Sequence, residues 1–431
     1  MVRARLALST RAHWWKWGSR AGFSIADQGL ISGANFAVNI LLARWLAPEG
    51  YGAFAVAFSI FIFVSGFHNA MVLEPMSVIG PSNYRDVVGR YLGATLWIQL
   101  GIGICLAGII AIGIAVARPA DRQMVLALLG LALASPFILL FWFFRRACYV
   151  GTRPDLALRG SLTYAIFIAV GLVLFRRQNW LSPAAGFLIM GLASFLGSLV
   201  FLYIHRAWIG GALRHGGALS TRPILHEHWN YGKWVVGSAF AHWVGGAAYL
   251  PLVAAVGGLA QAGALKAVQN LVLPFQHTIT AVGLVLLPWL SRKRSVRGRS
   301  YVRDALPRMA SANVLLAVLY VLVVLLFAEQ LIDLLYPGDL YSDYLWLVPF
   351  IGVAVILGAA NDSLRIGLRA LKRPDSLFRA QVASATLTLT LGIYLVARLG
   401  LLGAVLGLIS AALALTVLAL FYIRMDLRRR N

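Results

Sequence analysis

Long apolar runs separated by short polar connections recur along the whole chain. A helix of about 20 apolar residues is long enough to cross about 30 Å of hydrocarbon. Inside the membrane such runs must satisfy their backbone hydrogen bonds as helices. The pattern therefore predicts an all-α polytopic membrane protein with about twelve transmembrane helices. The predicted spans cover residues 22–45, 51–77, 91–117, 123–144, 158–175, 181–204, 234–256, 264–289, 309–328, 344–364, 380–397 and 401–423.

The first two spans meet in a tight turn within Leu41–Val56. Pro48 cannot continue a helix and Gly50 allows the backbone to reverse, so the pattern predicts a helical hairpin. The same turn returns near Leu259, which indicates an internal duplication. In this alignment Leu46, Ala47, Gly50, Leu73 and Pro75 correspond to Leu259, Ala260, Gly263, Leu286 and Pro288.

Two further sets of identities support the duplication. Trp15, Gly18 and Ser24 align with Trp229, Gly232 and Ser238, and Arg145, Arg153-Pro154-Asp155 and Arg159 align with Arg365, Arg373-Pro374-Asp375 and Arg379. Each half holds an even number of spans, so both halves enter the membrane in the same direction. This arrangement predicts two parallel six-helix lobes around a central cavity, with a substrate site between them near the membrane midplane.

The predicted organisation follows from these spans. It consists of a cytoplasmic or interfacial N-terminal segment at 1–21, an N-lobe at 22–205, a cytoplasmic linker at 206–233, a C-lobe at 234–423 and a basic cytoplasmic tail at 424–431.

Lysine and arginine are distributed unevenly between alternate connections. Of the 38 Lys and Arg, 31 fall on the side of the two termini and 5 on the opposite side. Cytoplasmic connections carry an excess of these residues, so both termini are predicted to be cytoplasmic. The net charge of +23 is then mostly a topology signal, and we expect no nucleic-acid partner.

Composition agrees with a membrane protein. The chain is 60% hydrophobic and 12% charged, whereas soluble domains are about one-quarter charged. Cys105 and Cys148 lie in or beside apolar runs and support neither a disulfide framework nor a metal motif. The sequence has no phosphate-binding loop of the GxxxxGKS/T type, so we expect no ATP drive, no cofactor and no metal.

Polar and ionisable side chains inside predicted spans are costly and mark functional sites. In the first span they fall within about 120° of one another around the helix, and in the eighth within about 100°. The predicted substrate-binding residues are Lys266, His277, Asn270, His242, Arg44, Asn35 and Asn39. The predicted ion-coupling residues are Asp27, Glu74, His68 and Asp362.

Each set has a structural alternative. The amides of the first and eighth spans could hydrogen bond between helices, and Arg44 and Lys266 could extend to the membrane interface. Asp27 and Glu74 could pair with arginines of the inner connections instead of taking up a proton. Arg365 could simply anchor the end of its span.

A cavity lined by Lys266, His242, His277 and Arg44 would be electropositive in a medium of low dielectric constant. Such a cavity suits an anion, above all a phosphate or pyrophosphate, provided that its charge stays paired. The connections on the outer side are short, so the large outer domain of a lipid-linked sugar transferase is missing. We therefore expect a transporter and not an enzyme.

The segment Asn35–Phe67, NFAVNILLARWLAPEGYGAFAVAFSIFIFVSGF, resembles the first two spans of the polysaccharide-transport (Wzx-type) flippases. The shared features are an Ala-Arg pair before a proline turn, Gly-Tyr-Gly after it, and a second span rich in small residues. These flippases belong to the multidrug/oligosaccharidyl-lipid/polysaccharide (MOP) exporter superfamily. The resemblance implies a V-shaped pair of lobes around a cationic cavity, usually with ion-coupled alternating access. One departure is that the extra pair of spans found in several relatives is missing, which favours an O-antigen or exopolysaccharide substrate over lipid II.

These observations lead to one main hypothesis and two alternatives. The main hypothesis is a multi-pass flippase of the bacterial inner membrane, acting on undecaprenyl-pyrophosphate-linked oligosaccharide in lipopolysaccharide biosynthesis or polysaccharide export. Its expected partners are that lipid-linked oligosaccharide, membrane lipids, a coupling proton or sodium ion, and the polymerase and glycosyltransferases of the pathway. The first alternative is a proton- or sodium-coupled transporter of small solutes or drugs with the same two lobes. The second, a membrane-bound polymerase or ligase, would need a long outer loop.

Overall fold

The structure is a computed structural model that describes residues 2–204, 206 and 219–428. Within these ranges every regular element is helical. The α-helices are α1 (Val2–Trp45), α2 (Pro48–His68), α3 (Glu74–Asn83), α4 (Val88–Ala117), α5 (Arg122–Val150), α6 (Pro154–Arg177), α7 (Pro183–Ile204), α8 (Thr221–Val244), α9 (Tyr249–Asn270), α10 (Leu273–Leu326), α11 (Ala328–Leu335), α12 (Leu347–Ala370), α13 (Pro374–Leu387) and α14 (Ile393–Arg428). Short π-helical turns follow α2 at Asn69–Leu73 and α13 at Thr388–Gly392. Residues 207–218 of the predicted linker and 429–431 of the predicted tail lie outside the described residues.

The described part of the chain contains 10 helical stretches that are long and apolar enough to cross a membrane. Three of them, 221–270, 273–326 and 374–427, are 50 or 54 residues long. Each contains a glycine with a positive φ angle, at Gly258 (φ 83°), Gly298 (φ 77°) and Gly400 (φ 56°). A residue without Cβ adopts this backbone conformation readily, so the glycines break the helices.

These breaks explain how ten stretches correspond to the spans predicted from the sequence. They fall in the connections predicted between spans seven and eight, eight and nine, and eleven and twelve. The short turn at 271–272, by contrast, lies inside the predicted eighth span. Divided at the glycines and kept continuous across that turn, the helices give about twelve crossings of the membrane. The protein is an all-α polytopic membrane protein.

Contacts divide the chain into two compact units. Unit 1 comprises Met1–Val38 and Val64–Val236, and unit 2 comprises Asn39–Phe63 and Gly237–Asn431. The end of α1 and most of α2 therefore pack with the C-terminal half of the chain. The lobe boundaries expected from the sequence remain a prediction.

In unit 1, small residues allow α5 to approach its neighbour α7 closely. A Cβ on Gly130 would lie 2.8 Å from the Cα of Ala184, and a Cβ on Gly191 would lie 2.8 Å from the Cβ of Ala134. Interfaces of small residues are typical of helix pairs in membranes, where packing and not the hydrophobic effect drives association.

In unit 2, the hairpin at the end of α1 and the start of α2 packs against the second copy of the same turn. A Cβ on Gly52 would lie 1.8 Å from the carbonyl oxygen of Leu259, and one on Gly263 would lie 2.5 Å from the carbonyl oxygen of Pro48. Tyr341 closes the hairpin from the other side, since its hydroxyl donates to the carbonyl oxygen of Ala43 at 3.4 Å. Glycine is required here because the two backbones touch.

The aligned Arg-Pro-Asp segments have the same local structure in both halves. We call residues 148–155 and 368–375 the first and second elbow. In each elbow the arginine N–H closes a helix end by donating at 2.9 Å to a carbonyl oxygen five residues earlier, on Cys148 or Leu368. The residue before the arginine has a positive φ, 57° at Thr152 and 59° at Lys372.

Each elbow also contains an ion pair between its arginine and its aspartate. The nitrogen–oxygen distance is 2.9 Å between Arg153 and Asp155, and 3.0 Å between Arg373 and Asp375. Hydrogen bonds to these carboxylates raise the pKa of both arginines. The duplication predicted from the sequence is thus present in backbone and side-chain detail.

Candidate functional site

Unit 2 contains a cavity of about 460 Å³. Its polar lining comes from α8, α9, α12 and α13, and includes His242, Lys266, Asn361, Asp362, Arg365 and Gln381. The rest of the wall is mainly aliphatic. A mostly apolar hollow with a few converging polar groups is the usual form of a small-ligand site.

The cavity carries more positive than negative charge. Lys266 is 7% exposed, and within the described part of the chain it makes no hydrogen bond or ion pair. Arg365 lies 3.5 Å from Asp362, a long contact between side chains that are 25% and 40% exposed. A buried cation without a partner is unfavourable, so Lys266 and Arg365 form a site prepared for an anion.

Neutral side chains fix the shape of this cavity. The amide nitrogen of Asn361 donates to the carbonyl oxygen of Ala412 at 3.0 Å, and its oxygen accepts from Thr416 at 2.9 Å. Gln381 accepts a hydrogen bond from Ser238. Because these amides already have partners, they hold the wall around the charged residues in place.

His242 lies on the cavity wall with an exposed side chain. Arg365 and Arg369 both act on it electrostatically. The structure therefore brings together three residues that the sequence predicted, Lys266, His242 and Asp362, and adds Arg365 to them.

The other predicted residues of the eighth span lie outside this cavity. His277 is exposed on α10, although Lys266 still acts on it electrostatically. Asn270 is buried and donates to the hydroxyls of Tyr51 at 2.8 Å and Tyr336 at 3.1 Å. It ties the hairpin to the connection after α11, where burial raises the pKa of Tyr336.

Three predicted residues of α1 also lie away from the cavity lining. Arg44 is exposed at the C-terminal end of the helix. Asn35 accepts a hydrogen bond from Tyr164 at 2.7 Å within unit 1. Asn39 is 3% exposed and belongs to unit 2.

Asp27 is the centre of a buried network in unit 1. Its carboxylate accepts from Arg145, with a shortest nitrogen–oxygen distance of 2.7 Å. The hydroxyl of Tyr149 donates to it at 2.5 Å, and the hydroxyl of Ser161 also donates to it. Asp27 therefore pairs with an arginine, which the sequence analysis gave as the alternative to proton uptake.

The remaining predicted ion-coupling residues of unit 1 lie at the end of α2 and the start of α3. His68 is buried and hydrogen bonds to Gln99 through Nε2, and its Nδ1 has no partner among the described residues. Glu74 accepts from the hydroxyl of Tyr231 at 3.2 Å. Arg146 acts electrostatically on both, so these two residues share one charged environment.

Sequence reasoning assigned Arg365 only an anchoring role and missed its place in the cavity. The signal was available in the repeat, because Arg365 aligns with Arg145. What differs between the two halves is the partner of each arginine.

No known family profile and no curated protein matches the sequence. The fold, however, is found in solved structures across nearly the whole chain. An inward-facing multidrug resistance MATE family transporter of the MOP superfamily is 14% identical, with a TM-score of 0.74, over 94% of this chain and 96% of that one. Lipid II flippase MurJ in an inward closed conformation is 13% identical, with a TM-score of 0.70, over 93% of this chain and 87% of that one.

A third similar structure is a MOP superfamily transporter from Pyrococcus furiosus, described as having a binding pocket of reversed polarity that suggests a different function. It is 14% identical, with a TM-score of 0.66, over 95% of both chains. The chain thus has the polytopic helical fold shared by MATE transporters, the MurJ flippase and other transporters of the MOP superfamily.

Proposed function

We propose that this protein is a flippase that moves undecaprenyl-pyrophosphate-linked oligosaccharide from the inner to the outer leaflet of the bacterial inner membrane. The observation that carries the proposal is the cavity of unit 2, in which Lys266 and Arg365 face a single carboxylate, Asp362. A pyrophosphate head group supplies the negative charge that this cavity lacks. The repeat unit it carries belongs to O-antigen or exopolysaccharide synthesis.

Burial decides why the head group would bind here and the lipid tail would not. Lys266 is 7% exposed, and oxyanions form their strongest hydrogen bonds with cations in such partly dehydrated sites. The undecaprenyl chain is apolar and gains nothing from leaving the bilayer. Alternating access would therefore carry the head group through the protein while the tail stays in lipid.

Ion coupling would use carboxylates and imidazoles that respond to binding. Asp362 is the direct candidate because it lies 3.5 Å from Arg365 in the cavity and loses part of that contact when an anion binds the arginine. Asp27, Glu74 and His68 of unit 1 are candidates for a proton or sodium step there.

A second candidate function is the ion-coupled transport of small solutes or drugs. The similarity of the fold to a multidrug resistance MATE transporter favours it, as does the presence of Asp362, which could bind a cationic solute. The excess of cations in the cavity argues against it.

A reconstituted transport assay tests the proposal. The purified protein is placed in vesicles that contain a fluorescent pyrophosphate-linked oligosaccharide lipid, and its accessibility from outside is followed with time. Removing one charge-assisted hydrogen bond costs about 1.5–3 kcal/mol, so Lys266→Ala should lower the transport rate at limiting substrate by about 10- to 150-fold.

Lys233→Ala is the matched control, because Lys233 is exposed and contacts only the ring of Trp234 among the described residues. It should leave transport unchanged, whereas Lys266→Arg should keep part of the rate. Equal rates for wild type and Lys266→Ala would contradict the proposal. Faster transport of a cationic dye than of the pyrophosphate lipid would favour the second candidate.

A further inference from the structure

The two halves of the chain carry equivalent sets of residues around Arg145 and Arg365. The elbows fix one register, an offset of 220 residues, because their backbones and ion pairs match. Ser24 and Ser238 fix a second register of 214 residues for α1 and α8. In these registers Asp27, Gln28, Arg145, Tyr149 and Ser161 correspond to Ala241, His242, Arg365, Arg369 and Gln381.

Contacts in the two units support this correspondence. Arg145 donates to the side-chain oxygen of Gln28 at 2.8 Å. At the equivalent positions, Arg365 is the strongest electrostatic influence on His242. Each arginine thus faces the same turn of the helix that begins its half.

The decisive difference lies at the position of the carboxylate. In unit 1, Asp27 is fully buried and receives hydrogen bonds from Arg145, Tyr149 and Ser161. In unit 2, its equivalent is Ala241, which is 4% exposed and lines the same cavity as Arg365. The acceptor has been lost.

The donors around the lost carboxylate have been kept or increased. Arg365 replaces Arg145, and a second arginine, Arg369, stands where unit 1 has Tyr149. Asp362 offers partial compensation, but its contact with Arg365 is 3.5 Å, against 2.7 Å for Asp27 with Arg145. The cavity therefore contains a cationic half of an ion pair whose anionic half is missing.

We infer that Arg365 binds a phosphate-type oxyanion of the transported molecule, which takes the place that the Asp27 carboxylate occupies beside Arg145. The inference rests on the proposed function and names the residue that recognises the head group. Lys266, from the other side of the same cavity, is available as a second ligand. Arg365 is then a specificity-determining residue and not only an anchor.

The substitution Ala241→Asp tests this inference, because it restores in unit 2 the carboxylate that unit 1 has. The new carboxylate should pair with Arg365 and exclude an anionic ligand. Binding to the purified full chain in detergent is measured by calorimetry with three probes. They are farnesyl pyrophosphate, inorganic pyrophosphate and farnesol.

We expect the wild-type protein to bind farnesyl pyrophosphate, and Ala241→Asp to weaken this binding at least tenfold, the scale of one lost charge-assisted hydrogen bond, about tenfold or more. Ala241→Asn has almost the same volume and no charge, so it should keep the affinity within about threefold. Arg365→Gln should also weaken binding. The unfolding temperature of Ala241→Asp should not fall below that of Ala241→Asn, which shows that the loss is not caused by misfolding.

The three probes separate the sources of the oxyanion. Binding of inorganic pyrophosphate as well as farnesyl pyrophosphate assigns the site to the phosphate group itself, and binding of the lipid form alone assigns it to a lipid-linked head group. Either result supports the inference if Ala241→Asp abolishes it.

Two results would overturn the inference. If Ala241→Asp binds farnesyl pyrophosphate as tightly as the wild type, Arg365 is not the oxyanion ligand, while the flippase proposal still stands on Lys266. If the wild type binds neither pyrophosphate probe, or binds farnesol equally well, both this inference and the proposed function are wrong.

Discussion

Asp27 offers the sharpest test of the packing in unit 1, because it joins a buried carboxylate to three donors from α5 and α6. The substitution Asp27→Asn keeps the shape of the side chain and removes its charge. Arg145 then remains beside a neutral amide, with only 17% of its side chain exposed. The measured change therefore isolates the charge.

The magnitude follows from burial. Removing one partner of a buried ion pair costs about 3–5 kcal/mol. We expect about 3 kcal/mol, the low end of that range, since Arg145 is partly exposed and the amide oxygen can still accept one hydrogen bond. At about 2–4 °C per kcal/mol for a domain of this size, the unfolding temperature should fall by about 6–12 °C.

Thermal unfolding of the detergent-solubilised full chain, followed by intrinsic tryptophan fluorescence, measures this change. The matched control is Asp155→Asn, which breaks an ion pair of similar length, 2.9 Å, whose side chains are 57% and 30% exposed. Exposed pairs contribute only about 0–1 kcal/mol, so the control should shift the transition by less than about 4 °C.

The double substitution Asp27→Asn with Arg145→Gln should recover part of the loss, because it removes the uncompensated cation as well. An unfolding temperature unchanged by Asp27→Asn would refute the reasoning. It would mean that Arg145 does not depend on a negative charge at this position, and the proton-carrying role of Asp27 would become the better interpretation.

Two further substitutions test unit 2. Gly52→Ala would place a methyl group 1.8 Å from the carbonyl oxygen of Leu259 and should destabilise the protein by about 1–3 kcal/mol or more, measured as a lower unfolding temperature. Asp426→Asn removes the acceptor of Arg299 at 3.1 Å and of Arg373 at 2.8 Å. Because its side chain is only 7% exposed, the loss should be about 2–3 kcal/mol in the same assay.

Each of these has an internal comparison. Gly108→Ala is the control for Gly52→Ala, since no atom lies within 4 Å of a Cβ at that position and alanine favours the helix by about 0.5–1 kcal/mol. If both variants behaved alike, the close approach of the two turns would not matter for stability. Asp375→Asn leaves Arg373 with Asp426, so a loss as large as that of Asp426→Asn would contradict the importance of burial.

Much of the fold could be predicted because its signals are local. Hydrophobic length gives the spans, and the connection predicted near residue 258 coincides with a glycine of positive φ. The elbows were visible as a repeated Arg-Pro-Asp because each is held by contacts within one short segment. Local rules suffice where the partners are close in sequence.

The candidate site was predicted only in part, and the eighth span shows why. Lys266 and His277 share a face only if the helix runs without interruption between them. The turn at 271–272 changes the rotational phase of the helix, so Lys266 lines the cavity and His277 is exposed. A helical wheel cannot anticipate a break that tertiary packing imposes.

The partner of Asp27 was out of reach for a different reason. Asp27 and Arg145 are 118 residues apart, and nothing in the pattern of either helix selects this pairing over other arginines of the same side. The absence of an acid at Ala241 acquires meaning only when that pairing is known. The role of Arg365 therefore required the structure of the other half.

The hairpin Asn39–Phe63 also limits how the polypeptide could be cut or rearranged. The chain passes from one unit to the other after Val38, after Phe63 and after Val236, so the two bodies are stitched together by three covalent strands of backbone. A C-terminal fragment made on its own would lack the helices that fill the seat at Gly263 and Asn270. Such a fragment would depend on a separately supplied N-terminal piece to complete its fold, as a lock depends on a key cut from its own metal.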